Sequence, residues 1–108
     1  MAQDFENSVA RDTGTSGATI RTANSDDAIV GLRLANITTG AIVVDAFIER
    51  SSANYYLVKG ATIPAGSSLE LIDGGSKIVL MNGDTLKVDC DTDNALDVWC
   101  SVVDTISE

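Results

Sequence analysis

The sequence has no histidine, one proline and two cysteines, and its aromatic residues are one tryptophan, two tyrosines and two phenylalanines among 108 positions. Without histidine there is no Ser-His-Asp or Cys-His arrangement, and the commonest zinc ligand besides cysteine is missing. Cys90 and Cys100 form no second pair, so a structural zinc site lacks ligands. Basic residues are scarce as well: seven against sixteen acidic ones, for a net charge of −9. Such a surface repels phosphates, which argues against a nucleic-acid groove and against the anionic face of a membrane. It favours solubility and electrostatic choice among protein partners. Long hydrophobic runs are also absent. Ala28-Ile29-Val30 and Ala41-Ile42-Val43-Val44 are far too short to span a bilayer.

Motifs for chemistry are equally thin. Residues 1–7 show no basic stretch followed by an apolar run, so no secretory signal is read there. Cys90 and Cys100 are accordingly expected to remain thiols, packed as small hydrophobes. Gly14-Thr15-Ser16-Gly17 lacks the lysine and the strand-to-helix setting of a phosphate loop. Asp91, Asp93, Asn94 and Asp97 gather hard oxygen ligands, but without the central glycine and final glutamate of a helix-pair calcium loop. Aspartate and asparagine are also the ordinary residues of turns, and that is how the segment is read. The expectation is a protein with no catalytic residue, no cofactor and no metal, and therefore not an enzyme.

What the sequence does contain is period two. Ala28, Val30, Leu32 and Leu34 alternate with a second set, and so do Ile42, Val44, Ala46 and Ile48. Leu86, Val88 and Cys90 continue the pattern, as do Leu96, Val98, Cys100 and Val102. Turn chemistry separates these runs at residues 36–40, 51–54, 60–66, 73–75 and 91–94. Asn82-Gly83 supplies positive φ at both corners of a hairpin turn, which predicts that residues 77–81 fold back onto 85–90. Seven or eight short strands in this rhythm predict an all-β antiparallel sandwich or jelly roll over residues 18–108.

Residues 1–17 are polar or small, with Phe5 and Val9 as isolated apolar points. They read as an extended arm that takes structure against a neighbour, anchored by those two side chains. Elsewhere the positions opposite the core carry Val43, Phe47, Trp99 and Val103, residue types that protein interfaces use. Phe5, Val9, Phe47 and Trp99 are thus the candidate contact residues. A domain of this length buries only about two-thirds of its unfolded surface, so self-association about a symmetry axis, for instance as a trimer, is expected to help it. The competing reading is a carbohydrate- or receptor-binding module, with Tyr55, Tyr56 or Trp99 exposed in a concave site beside the Asp91–Asp97 loop.

Several segments carry a resemblance. They are Asn7 to Gly17 (NSVARDTGTSG), Ile29 to Asn36 (IVGLRLAN), Tyr56-Leu57-Val58-Lys59, Ile63 to Leu69 (IPAGSSL), Lys77 to Asp84 (KIVLMNGD), and Leu96-Asp97-Val98 with Ser101-Val102-Val103. In this order they resemble small virion structural proteins of tailed bacteriophages, particularly phages of marine cyanobacteria. The family has no catalytic motif to transfer. What the resemblance implies is a β-sandwich assembled in the host cytoplasm onto the virion, with capsid, neck or tail proteins as partners.

Overall fold

The structure, a computed structural model, describes residues 4–72 and 77–104. The period-two segments become nine strands. These are β1 (Asp4–Thr13), β2 (Ala18–Thr22), β3 (Asp27–Asn36), β4 (Ile42–Arg50), β5 (Ala53–Ile63), β6 (Ser68–Ile72), β7 (Ile78–Leu80), β8 (Thr85–Cys90) and β9 (Leu96–Asp104). One sheet runs β1-β9-β3-β6, with β7 also on β3, and the other runs β2-β8-β4-β5. Every pairing is antiparallel and the pairs are nested: β4 with β5, β3 with β6 and β7, β2 with β8, β1 with β9. A long hairpin rolled so that successive nested pairs fall in opposite sheets is a jelly roll. The chain is an all-β, antiparallel, two-sheet sandwich.

Alternation places the core between the sheets. Leu32, Leu34, Ile42, Val44, Ala46, Leu86, Val88, Leu96, Val98, Cys100 and Val102 all point inward and are buried. Each fully buried leucine or isoleucine contributes roughly 1.5–3 kcal/mol. The first half of β3 departs from its predicted parity. Ile29, not Val30, is the buried residue, because a register shift against β9 falls between Ile29 and Gly31. One unpaired residue there turns Val30 toward the outer face, as a bulge does.

Two turns, at Asn82-Gly83 and Gly60, also differ from the sequence reading. Residues 77–81 do not fold back onto 85–90. Instead β7 pairs with β3, whereas β8 lies in the other sheet between β2 and β4. Only Gly83 has positive φ (94°), and the Asp84 N–H donates to the Met81 carbonyl at 2.9 Å. That is the conformation of a type II turn, which needs positive φ at one corner and does not close a tight hairpin. Its amides are used elsewhere: Gly83 N–H donates to the Ala23 carbonyl and Asn82 N–H to an Asp26 carboxylate oxygen.

The tight hairpin is at Ser51-Ser52. Both residues have positive φ (53° and 67°), and Arg50 pairs with Ala53 across them. The predicted loop at Gly60 is a bulge inside β5, where Gly60 (φ 72°) donates its N–H to Asp45 Oδ1 at 2.8 Å. Pro64 opens its turn at the first position, with its carbonyl accepting from Ser67 N–H. The Asp73-Gly74-Gly75 turn lies outside the described residues.

Residues 4–13, within the segment set apart as an arm, form β1. It pairs along β9 from Asp4 opposite Asp104 to Thr13 opposite Leu96. Its contribution to the core is small, with Ala10 half-buried against it and Thr13 buried. Backbone pairing does most of the holding.

Candidate interaction surface

Parity builds the surface. Because Val98, Cys100 and Val102 take the inner positions of β9, Trp99 is forced onto the outer face. β1 lies beside it in a register that sets Val9 opposite Trp99 and Phe5 opposite Val103. Phe5 is 86% exposed, and Val9 and Trp99 are each 56% exposed. Between Phe5 and Trp99 is a shallow depression of ≈ 230 Å³, lined by Phe5, Glu6, Asn7, Val30, Trp99, Ser101 and Val102. On the far side Trp99 faces Arg33, which pairs with Glu70 at 3.1 Å. The result is two apolar pairs on one outer face, Val9 with Trp99 and Phe5 with Val103, separated by Asn7 and Ser101 and flanked by the Arg33–Glu70 ion pair.

The structure thus brings together Phe5, Val9 and Trp99, but not Phe47. Phe47 is half-buried on the outer face of the other sheet, packed against Tyr56 with ring centroids 5.0 Å apart and planes tilted by 41°. Lys59 Nζ sits 4.5 Å above the same tyrosine ring. On that face Asp45 and Asp89 are directly opposed, and burial together with the Asp45 carboxyl pushes Asp89 above the usual carboxylate range. Lys87 and Glu49 pair beside them at 2.6 Å.

Two charge clusters have no signal in the sequence. Arg21 on β2 donates to Asp27 Oδ2 and Glu6 Oε1, both at 2.9 Å, and reaches Asp104 at 3.6 Å. One guanidinium therefore links β2 of one sheet to β3, β1 and β9 of the other. Asp27 is fully buried, and desolvation, with the neighbouring Asp104, pushes its carboxyl up despite Arg21. The second cluster is a bidentate pair: Arg50 Nε and Nη2 donate to the two oxygens of Asp84 at 2.7 and 2.6 Å. Asp84 also accepts from Met81 N–H, and the Arg50 bonds hold its carboxyl below the usual range. These residues lie 34 positions apart, with nothing in the intervening pattern to connect them.

The Asp91–Asp97 segment is taken up by backbone contacts. Asp91 accepts from Val43 N–H, Asp97 from Asp12 N–H, and Asp93 Oδ1 from both the N–H and the hydroxyl of Thr15. The Thr15 bonds draw Asp93 below its ordinary pKa. Among the described residues no group of three or more acidic or cysteine side chains could hold a metal ion. A cavity of ≈ 390 Å³ lies beside Asp93 and Asn94, lined by residues 10–14 and 16–18 with no aromatic ring. Tyr55 and Tyr56 are on β5 and Trp99 on the outer face of β9, so the stacking platform expected of a sugar site is not at this loop.

Cys90 and Cys100 are free and buried, on strands of opposite sheets. Desolvation raises both thiols, that of Cys100 to about 11.

No family model matches the chain, and no curated protein matches it in sequence. Its fold does match a solved structure of Bacillus endospore appendages, described as a novel family of disulfide-linked pili. The match has a TM-score of 0.55 at 15% identity and covers 94% of this chain and 84% of that one. At that identity the likeness is one of fold: nearly the whole of this chain shares its architecture with a pilus protein.

Proposed function

We propose that this chain is a non-enzymatic structural subunit, held in a larger assembly by protein–protein contacts through the outer face of the β1-β9-β3-β6 sheet. The observation that carries the reading is the meeting of Phe5, Val9 and Trp99 on adjacent strands, each more than half exposed. Aromatic side chains with an aliphatic neighbour, ringed by charge, are the composition of an interface centre. An isolated apolar residue on a surface needs no explanation, whereas several gathered on one face do.

The shared fold supports the same class of role, since the appendage protein it resembles builds pili. The covalent part of that description does not transfer, because both cysteines of this chain are buried. Its contacts are noncovalent.

The finer placing rests on the sequence resemblance: a virion protein of a tailed bacteriophage, on the capsid, neck or tail, assembled in the host cytoplasm. Immunogold labelling of purified virions with antibody against the chain tests it. Label on the particles, lost when Phe5, Val9 and Trp99 are changed together to serine, is the expected result. Unlabelled virions overturn the phage placing. Label that survives the triple substitution overturns the surface.

A further inference from the structure

We propose that β1 is a pairing edge, and that it joins antiparallel to β1 of a second copy of this chain about a two-fold axis at Asn7. The inference rests on the reading of the chain as an assembling subunit and deepens it by naming a partner and a register.

A sheet edge exposes unpaired N–H and C=O groups, and proteins guard against unwanted pairing with short strands, bulges, lysines or prolines. The described edges differ in this respect. β2 has five residues, and β5 is interrupted by the Lys59-Gly60 bulge against Asp45. The far edge of the first sheet is split between β6 and β7, of five and three residues. β1 has ten residues, contains neither lysine nor proline, and keeps an unbroken register with β9 from Asp4 to Ala10. Among the described residues no strand covers its other side.

Side-chain parity then limits how two such edges can meet. A two-fold axis perpendicular to the sheet puts outer face against outer face, so only registers centred on a residue are allowed. Centred on Glu6, the pairing opposes two glutamates. Centred on Ser8, it sets Phe5 against Arg11, which is among the most exposed cations of the molecule (88%). Centred on Asn7, it sets Phe5 against Val9 of the second copy, twice, and Glu6 against Ser8.

The last register opposes no like charges and joins the apolar pairs across the edge. Because Val9 is already opposite Trp99 and Phe5 opposite Val103, each row reads Trp99, Val9, then Phe5 and Val103 of the second copy. The exposed apolar pairs of the two copies meet on a single joined sheet. The net charge of −9 on each copy opposes the approach, so association strengthens as salt screens it.

The axis gives a specific test. Residues facing each other at such an axis have Cα atoms about 4.5–5.5 Å apart, within the range of about 4.4–6.8 Å that a disulfide spans. Two copies of Val9 in the same register are offset by roughly 14 Å along the strands. Asn7→Cys and Val9→Cys are therefore made separately in the full chain and oxidised mildly, with the native protein as control. Asn7→Cys is expected to give a covalent dimer, and Val9→Cys no more than the native chain, whose thiols are buried. Asn7→Asp, which opposes two carboxylates at the axis and adds to the net negative charge of each copy, is expected to weaken dimerisation severalfold in light scattering. No cross-link at residue 7 above the native background, or equal cross-linking at residues 7 and 9, overturns the pairing. Virions that still carry label from a chain that does not dimerise sink the pairing alone. A cross-linked dimer that joins no larger assembly sinks the subunit reading alone.

Discussion

Gly14 shows how tightly single residues are specified here. A Cβ at this position would collide with Asp93 Oδ1 and lie 2.7 Å from the Asp93 Cα. Asp93 cannot retreat without giving up its two bonds to Thr15. Gly14→Ala is therefore expected to cost about 1–3 kcal/mol, the usual cost of overpacking, read from the urea midpoint. Asp84 gives the pH dependence. Its folded pKa lies below the unfolded value, so its contribution is present above the unfolded value, about 3.9, and is lost as pH falls through the folded value. Asp27 has the opposite sign: its folded pKa is raised, so its contribution is present below about 3.9 and lost as pH rises through the folded value. Asp84→Asn should lower the melting temperature near neutral pH, with the gap from the native protein closing in acid. A gap that stays constant from neutral pH into acid would rule out ionisation of Asp84 as the source. The cysteines are legible from both directions. Period two predicted that Cys90 and Cys100 face the core, and both are buried. Neither thiol should react with a disulfide reagent at pH 8 until denaturant is added, and then both should. By contrast, Arg21, Asp27, Arg50 and Asp84 were not legible, because local pattern cannot pair charges brought together only by the roll of the sheets.

At the scale of elements, β4, β8 and β9 could be read directly, since each buries one parity against the opposite sheet without interruption. β3 could be read only in its second half, where the Ile29–Gly31 shift no longer matters. The turns were harder because dipeptide preference is weaker than tertiary demand. Asn82-Gly83 has the best hairpin sequence, yet β7 and β8 lie in opposite sheets, so the segment crosses over instead. Ser51-Ser52 forms the hairpin with residues that dislike positive φ. The double substitution Ser51→Asn with Ser52→Gly, which installs the preferred turn dipeptide, should stabilise the protein by about 0.5–1 kcal/mol. Thermal melts showing no gain would mean the turn is not limiting. β1 is held by backbone bonds to β9 and the Glu6–Arg21 contact, with Ala10 and Thr13 its residues at the core. In dilute, low-salt solution, where the edge is unpaired, amides of β1 should exchange with deuterium at least about tenfold faster than those of β3. Equal protection would show that β1 is fixed by more than its own contacts, as a pairing partner at its free edge would do.

For the molecule as a whole, composition and alternation settled the class, an all-β sandwich, while the nesting of strands that makes it a jelly roll emerged only with the pairings. The candidate surface divides in the same way. Trp99 could be named from its outward parity, and Phe5 and Val9 as the apolar points of a polar segment, but their adjacency depends on β1 lying next to β9, which nearly the whole intervening chain conceals. Phe47 followed the same logic and lies on the other sheet, because parity tells inside from outside and not one outside from the other. An assembly built on this surface needs no disulfide, so reducing agent should leave its size unchanged. The most direct test of a structural subunit is the solution mass of the full chain, measured by light scattering after size exclusion across a range of protein concentrations in moderate salt. The expected mass is at least twice 11.3 kDa, falling when Phe5, Val9 and Trp99 are changed together to serine. A single species of 11.3 kDa at every concentration and salt, identical in the triple variant, would contradict it.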